Sequence, residues 1–478
     1  NITERLDFSC AVFSPDGELV ANAPHMPVHL GAMGESVKAI LGERAGSVKA
    51  GDVFMTNDPY HGGSHLPDIT LVTPVMGANG APAFFVANRG HHADIGGITP
   101  GSMPPFSTRI EEEGVVVHNF RLVSEGVLHE EGIVRLLTKH PYPARNVDER
   151  LSDLRAQIAS NNAGVRLLEE LSAQYGAEVV HAYMRHVREN AASAMRDRLA
   201  RLPDGEYSAE DSLDNGAKIV CRIAIAGGSA SVDFSGTSPQ LEGNLNAPPA
   251  VAIAAVLYVF RTLIKYPIPL NAGCLDPISI LIPEGSLLAP RSPAAVVGGN
   301  VETSARIVDT LYAALETIAG GQGTMNNLTF GTDEWGYYET ICGGSGAGPE
   351  FDGASAVHTH MTNTRITDSE VLERRYPVLL REFSIRKGSG GRGEHRGGDG
   401  AVRAIEFLKP MAAGVLSERR ITAPYGLGGG KPGAKGRNLL VRNGETTELE
   451  GHARVDMRTG DVLVIETPGG GGYGTIDR

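Results

Sequence analysis

A chain of 478 residues is too long for one simple core and suggests roughly two to four domains, each able to bury substantial apolar area. A formal net charge of −13 argues against nucleic acid or an anionic membrane as partner, since both need a basic surface. No apolar run approaches the ~20 residues that span a bilayer, no signal peptide is visible, and four scattered cysteines without CxxC spacing read as reduced thiols, so a cytoplasmic protein is expected.

The first residues enter at once into strand-like alternation, turn at Ser14-Pro-Asp-Gly17 and return, so a hairpin with no leading helix is expected. With no initiator Met, the sequence is expected to begin inside a longer polypeptide. Small and apolar residues at helical spacing follow from Met26. His25 and His29 flank that start and read best as local structural histidines, with a shared pocket as the alternative.

The stretch Asn57-Asp-Pro-Tyr-His-Gly-Gly-Ser-His-Leu-Pro-Asp68 and its echo Arg89-Gly-His-His-Ala-Asp94 gather four histidines and three aspartates within 38 residues. Imidazole nitrogens and a carboxylate on non-helical segments are what a divalent transition metal takes while keeping a position open. His65 and Asp68 sit three apart, and two antiparallel strands joined at Gly77-Ala-Asn-Gly80 would return the second cluster to the same edge. Asp58 and His61 are close enough to be alternative ligands. The same residue types also serve as turn chemistry, and the spacing alone does not choose between the two readings.

Residues 147–202 carry apolar positions at helical steps, interrupted at Gly176, and predict two amphipathic helices. Two alternating runs around Ala226-Gly-Gly predict a hairpin, residues 251–265 an apolar helix, and 277–283 a strand. Asn300, Glu302, Thr303 and Ser304 open a helix over 307–319; they read either as caps or, for Glu302, as an acid, base or further ligand at a pocket rim. The last third is rich in Gly. Gly388-Ser-Gly-Gly-Arg-Gly393 matches GxGxxG but no helix follows, and Pro432 stands where a P-loop needs Ser or Thr, so no nucleotide site is expected. The fold class is thus α+β: a metal-bearing β-rich unit (1–146), a helical hairpin (147–202), an α/β unit (203–330) and a β-rich, Gly-rich unit (331–478).

Taken together, Glu4-Arg-Leu-Asp-Phe-Ser-Cys10, the two His/Asp clusters, Gly299-Asn-Val-Glu-Thr-Ser304, Asn363-Thr, Tyr376-Pro, Ser389-Gly-Gly-Arg-Gly393 with Arg396-Gly-Gly-Asp-Gly400, and Pro468-Gly-Gly-Gly-Gly-Tyr-Gly474 resemble the hydantoinase B family. That family includes N-methylhydantoinase beta subunits, the C-terminal half of 5-oxoprolinase, caprolactamase small subunits and acetone carboxylase alpha subunits. An N-terminal helical segment usual in the family is absent from the sequence.

The resemblance implies a division of labour. A hydantoinase A-type ATPase, which binds ATP in place of this chain, phosphorylates a carbonyl oxygen, and this chain completes ring opening of a cyclic amide at one divalent transition metal (Zn, Mn or Fe). An A2B2 hetero-oligomer is expected. By the same resemblance the ligands are His65, Asp68 and His91, while His92, Asp94 and Glu302 become candidates for catalytic base or ligand-orienting roles. A carboxylase, or a scaffold that has lost its metal, is the rival reading.

Overall fold

The computed structural model describes residues 1–23, 26–44 and 46–476; His25 lies outside them. A single turn of helix, α1 (Ile2–Arg5), precedes the expected hairpin of β1 (Phe8–Phe13) and β2 (Leu19–Asn22). This corrects the expectation of no leading helix. Tertiary anchoring decides the turn: the buried Arg5 guanidinium lies 4.7 Å over the Tyr338 ring and donates to Thr340 and Thr364.

Helix α2 (His29–Arg44) leads into β3 (Val53–Thr56), β4 (Asp68–Met76), β5 (Pro82–His91), β6 (Phe120–Ser124) and β7 (Val127–Leu128). These strands form one seven-stranded sheet in the order β2-β1-β5-β4-β3-β6-β7. Alternation along β5 sorts its side chains by face. Phe85 and Ala87 pack with Met33, Val37 and Ile40 of α2, whereas Phe84 and Val86 pack with Leu168 and Val180 of the opposite layer. That layer is the helical hairpin, α3 (Glu130–Thr138) being followed by α4 (Val147–Tyr175) and α5 (Ala177–Leu199), broken at Gly176 as expected. The Asn88 amide donates to the Gln157 carbonyl and to Asn161 Oδ1, pinning α4 to the sheet.

Residues 205–281 supply a second, four-stranded sheet, and the last third supplies a four-stranded and a five-stranded sheet. The predicted helix after Pro248 spans Pro249–Thr262 and is buried along most of its length. The segment after Gly298 is a π-helical turn, Gly299–Thr303, running into the α-helix Ser304–Ala314. The capping reading is therefore corrected. No side chain accepts a capping hydrogen bond at either helix start; the Thr303 hydroxyl instead donates to the Leu245 carbonyl and the Ser304 hydroxyl to the Asn300 carbonyl. Wide turns of this kind are found disproportionately beside functional sites.

The glycine-rich loops of the last third, read from sequence as irregular, are packed backbone against backbone. A Cβ placed on Gly470 would lie 1.9 Å from the Ser345 carbonyl oxygen, and one on Gly397 would lie 2.0 Å from that of Gly470. Among the described residues, no helix is long and apolar enough to cross a membrane, and the four cysteines are unpaired.

Candidate metal centre

The antiparallel register of β4 and β5 sets Asp68 directly opposite His91. This is the return that the strand–turn–strand pattern predicts, and paired residues point to the same face. The loop carrying His65 is fitted onto α2. Gly62 has φ of 85°, and a Cβ there would meet the Glu35 carbonyl carbon at 2.4 Å; the Ser36 hydroxyl donates to the Gly62 carbonyl. With that loop fixed, His65 Nδ1 lies 3.1 Å from Asp68 Oδ2, and the His65 and His91 rings sit 5.1 Å apart at 77°. One ligand atom from each of His65, Asp68 and His91 falls within 4.8 Å of the others, and all three residues are buried.

The donor set fits a divalent cation on its own chemistry. Two ligand atoms on a tetrahedral ion at ~2.1 Å stand roughly 3.4 Å apart, close to the His65–Asp68 separation. The ring nitrogens of His65 and His91 are buried without a well-aligned hydrogen bond, His65 Nδ1 meeting only the Asp68 carboxylate at 3.1 Å. Leaving such groups unpaired costs about 1–3 kcal/mol each, so their concentration in one cavity calls for a ligand. Burial alone would raise the Asp68 carboxyl, but the His65 and His29 imidazoles beside it hold it well below the usual range. Burial pushes His91 well below its usual value, leaving it neutral. A carboxylate and a neutral imidazole are the protonation states that bind metal.

The cavity is small, about 20 Å³, enough for an ion or one water but not for a ring. Its walls come from the whole chain: Asp7 and His29 near the start, Asn300 on the π-helical turn, Met325 and Tyr338 farther on. Tyr338 stacks on His91 at 4.7 Å, and its hydroxyl donates to Asn327 Oδ1. Asn327 in turn donates to Glu302 Oε1, which also accepts from the Met325 N–H. Burial pushes the Glu302 carboxyl up to about 7.

The other candidates are distributed away from the cavity. His92 follows His91 in the alternation and so faces the helical layer, its Nε2 2.9 Å from Gln157 Oε1; burial, reinforced by Arg150, pushes it down to about 3. Asp94 staples its own loop, accepting from the N–H groups of Gly96, Gly101 and Arg145, and lines a separate 260 Å³ pocket. Glu302 sits behind Asn327 and Tyr338, outside the cavity wall. Asp58 and His61 form a different, outer group.

Conversely, His29 is brought in. Its Nε2 is 3.3 Å from Asp68 Oδ2 and its Nδ1 2.8 Å from Ser9 Oγ, so the reading as a merely local histidine gives way. Its signal was faint, one histidine at a helix start. Asn300 had been noted only at a helix start, and Tyr338 had no local signal at all.

The Hydantoinase B/oxoprolinase family model matches residues 1–476. The chain is 52% identical over 501 aligned residues to 5-oxoprolinase 1 of Arabidopsis thaliana, covering 99% of this chain and 39% of that protein. It thus spans about two fifths of that relative's length. It is 30% identical to a putative D-/L-hydantoinase B component of a Pseudomonas species, covering 99% of this chain and 85% of that one. The crystal structure of ATP-dependent caprolactamase from Pseudomonas jessenii superposes with a TM-score of 0.89 at 27% identity, over 98% of this chain and 85% of the other.

Proposed function

The chain belongs to the hydantoinase B/oxoprolinase family, and on that premise we propose that it is the hydrolytic part of an ATP-dependent cyclic-amide hydrolase of 5-oxoprolinase type. It opens a lactam whose carbonyl oxygen has been phosphorylated by a hydantoinase A-type ATPase. Resemblance to 5-oxoprolinase over the whole chain supports the substrate class. The observation that carries the mechanism is the buried convergence of His65, Asp68 and His91 with unpartnered ring nitrogens. The plant relative is much longer than the matched region and the bacterial hydantoinase component is not, so the ATPase part belongs to the same polypeptide or to a separate one; an A2B2 assembly applies to the second case.

A divalent Zn, Mn or Fe ion held by those three residues supplies Lewis acidity, lowering the pKa of water at the site. The chain's own residues do the rest. The Ser64 hydroxyl donates to Asp68 Oδ2 at 2.7 Å and fixes the carboxylate, while Tyr338 stacks on His91 and fixes its ring. A Ser9 hydroxyl donating to His29 Nδ1 leaves the Nε2 proton facing Asp68, which places His29 to hold or release a proton at the cavity. His92, Asp94 and Glu302 act as positioning residues, holding α4, the 94–101 loop and the Asn327–Tyr338 pair. A lactam enters only when the cavity wall moves, because the space beside the triad is far smaller than a ring.

The test is an assay of the complete protein with its ATPase part and ATP against hydantoin, N-methylhydantoin, 5-oxoproline, caprolactam and acetone, scoring ring opening and bicarbonate uptake separately. ATP-dependent opening of a lactam is expected. Ring opening by this chain alone without ATP, or bicarbonate uptake in its place, would overturn the reading.

A further inference from the structure

Outside the buried centre, a second group of metal-binding side chains converges on the outer surface from three separated segments. Glu43 comes from the C-terminal end of α2, His61 from the loop before β4, and His118 from the segment leading into β6. One ligand atom from each lies within 4.8 Å of the others, and the two imidazoles meet edge to face at 4.4 Å. We infer that Glu43, His61 and His118 form a second, surface-accessible site for Zn²⁺ or a comparable borderline divalent cation, with Asp58 orienting both imidazoles from behind.

Asp58 gives this group its organisation. Its side chain is 8% exposed, and its Oδ2 lies 2.8 Å from Nδ1 of both His61 and His118. A carboxylate accepting from both Nδ1–H groups fixes both tautomers and leaves both Nε2 lone pairs free. This is the carboxylate–histidine arrangement found behind metal-ligating imidazoles. His118 Nε2 stands 3.1 Å from Glu43 Oε2, the distance at which two atoms share one ion.

The backbone beneath is held by buried Asn57. Its N–H donates to the Val117 carbonyl and its Oδ1 accepts from the Val117 N–H, so the segments bearing Asp58 and His118 cannot drift apart. Asn119, next to His118, donates to Glu43 Oε2 and ties the segment bearing His118 to the end of α2. The ligand side chains remain between 38% and 51% exposed, so water completes the coordination shell. Occupancy would clamp the far end of α2, whose first residue is His29, to the loop that carries His65.

The test titrates Zn²⁺ into the chelator-treated full-length protein against a chromophoric chelator, for wild type, His118→Ala, the double variant E43Q/H61Q, and His65→Ala. The expected result is two equivalents for wild type and one for each of the others, with His65→Ala retaining the surface ion. Unchanged stoichiometry in both His118→Ala and E43Q/H61Q would overturn the site. A single wild-type equivalent lost in His65→Ala alone overturns it while the buried centre stands; one lost only in the surface variants overturns the buried centre and leaves this site standing.

Discussion

The β4–β5 pair and the glycine loops of the last third both bring distant residues into contact, but by opposite means. In the first, regular backbone delivers side chains: an antiparallel register sets Asp68 opposite His91, and the chemistry lies in the groups beyond Cβ. In the second, missing side chains let backbones meet, with the Gly391 N–H donating to the Gly470 carbonyl and the Gly470 N–H to that of Gly398. The first region is rich in polar and ligating groups and should tolerate their truncation. The second has none and should tolerate no added atom.

Gly470→Ala presses hardest on that contrast. Its methyl would sit 1.9 Å from the Ser345 carbonyl oxygen, so backbone must move. A loss of about 5 kcal/mol or more is expected, read as loss of folded protein or a collapse in Tm; a wild-type Tm would show that the loops have slack. His65→Ala should do the reverse, lowering ATP-dependent turnover about 10³-fold, or about 4 kcal/mol in barrier, while the unfolding free energy stays within about 1 kcal/mol of wild type. Equal turnover in the variant would remove the centre from the mechanism.

Glu302→Gln sharpens the comparison by titration. The folded carboxyl titrates near 7 against an ordinary value of 4.5. The folded state therefore holds its proton to higher pH, and the group's contribution is complete below about pH 4.5 and lost as pH rises through about 7. That swing is worth about 3 kcal/mol. Wild type should thus lose stability relative to the variant between pH 5 and 8; a difference in unfolding free energy that stays flat over this range would contradict the shift. Tyr338→Phe should be the mildest. It keeps the ring on His91 and loses only the hydroxyl bond to Asn327, at about 1 kcal/mol of stability and a few-fold in turnover. A hundred-fold loss would instead give the hydroxyl a part in the reaction.

The candidate site was legible where its cause is local. Three-residue spacing between His65 and Asp68 and a strand–turn–strand pattern suffice to bring both clusters to one edge. Alternation also separates His91 from His92, a consequence open to sequence reasoning that grouping the doubled histidine obscured. Glu302 was read either as part of a cap or as an acid, base or further ligand at a pocket rim; its buried place behind Asn327 and Tyr338 depends on strands far along the chain. Asp58 and His61, grouped with the buried ligands by proximity in sequence, belong to a separate outer group, with His61 exposed over the buried Asp58, because the turn at Gly62 separates them from His65.

By itself, the sequence determined which histidines and aspartates are candidate ligands and which strands, helices and turns present them, because apolar period, turn composition and ligand type act over a few neighbours. Tertiary structure alone decided that Tyr338 and Asn300 close the cavity, that His29 joins Asp68, and that the glycine loops interlock. Those outcomes are set by close approach between segments far apart in the chain. Steric fit of that kind leaves no periodic trace in either partner.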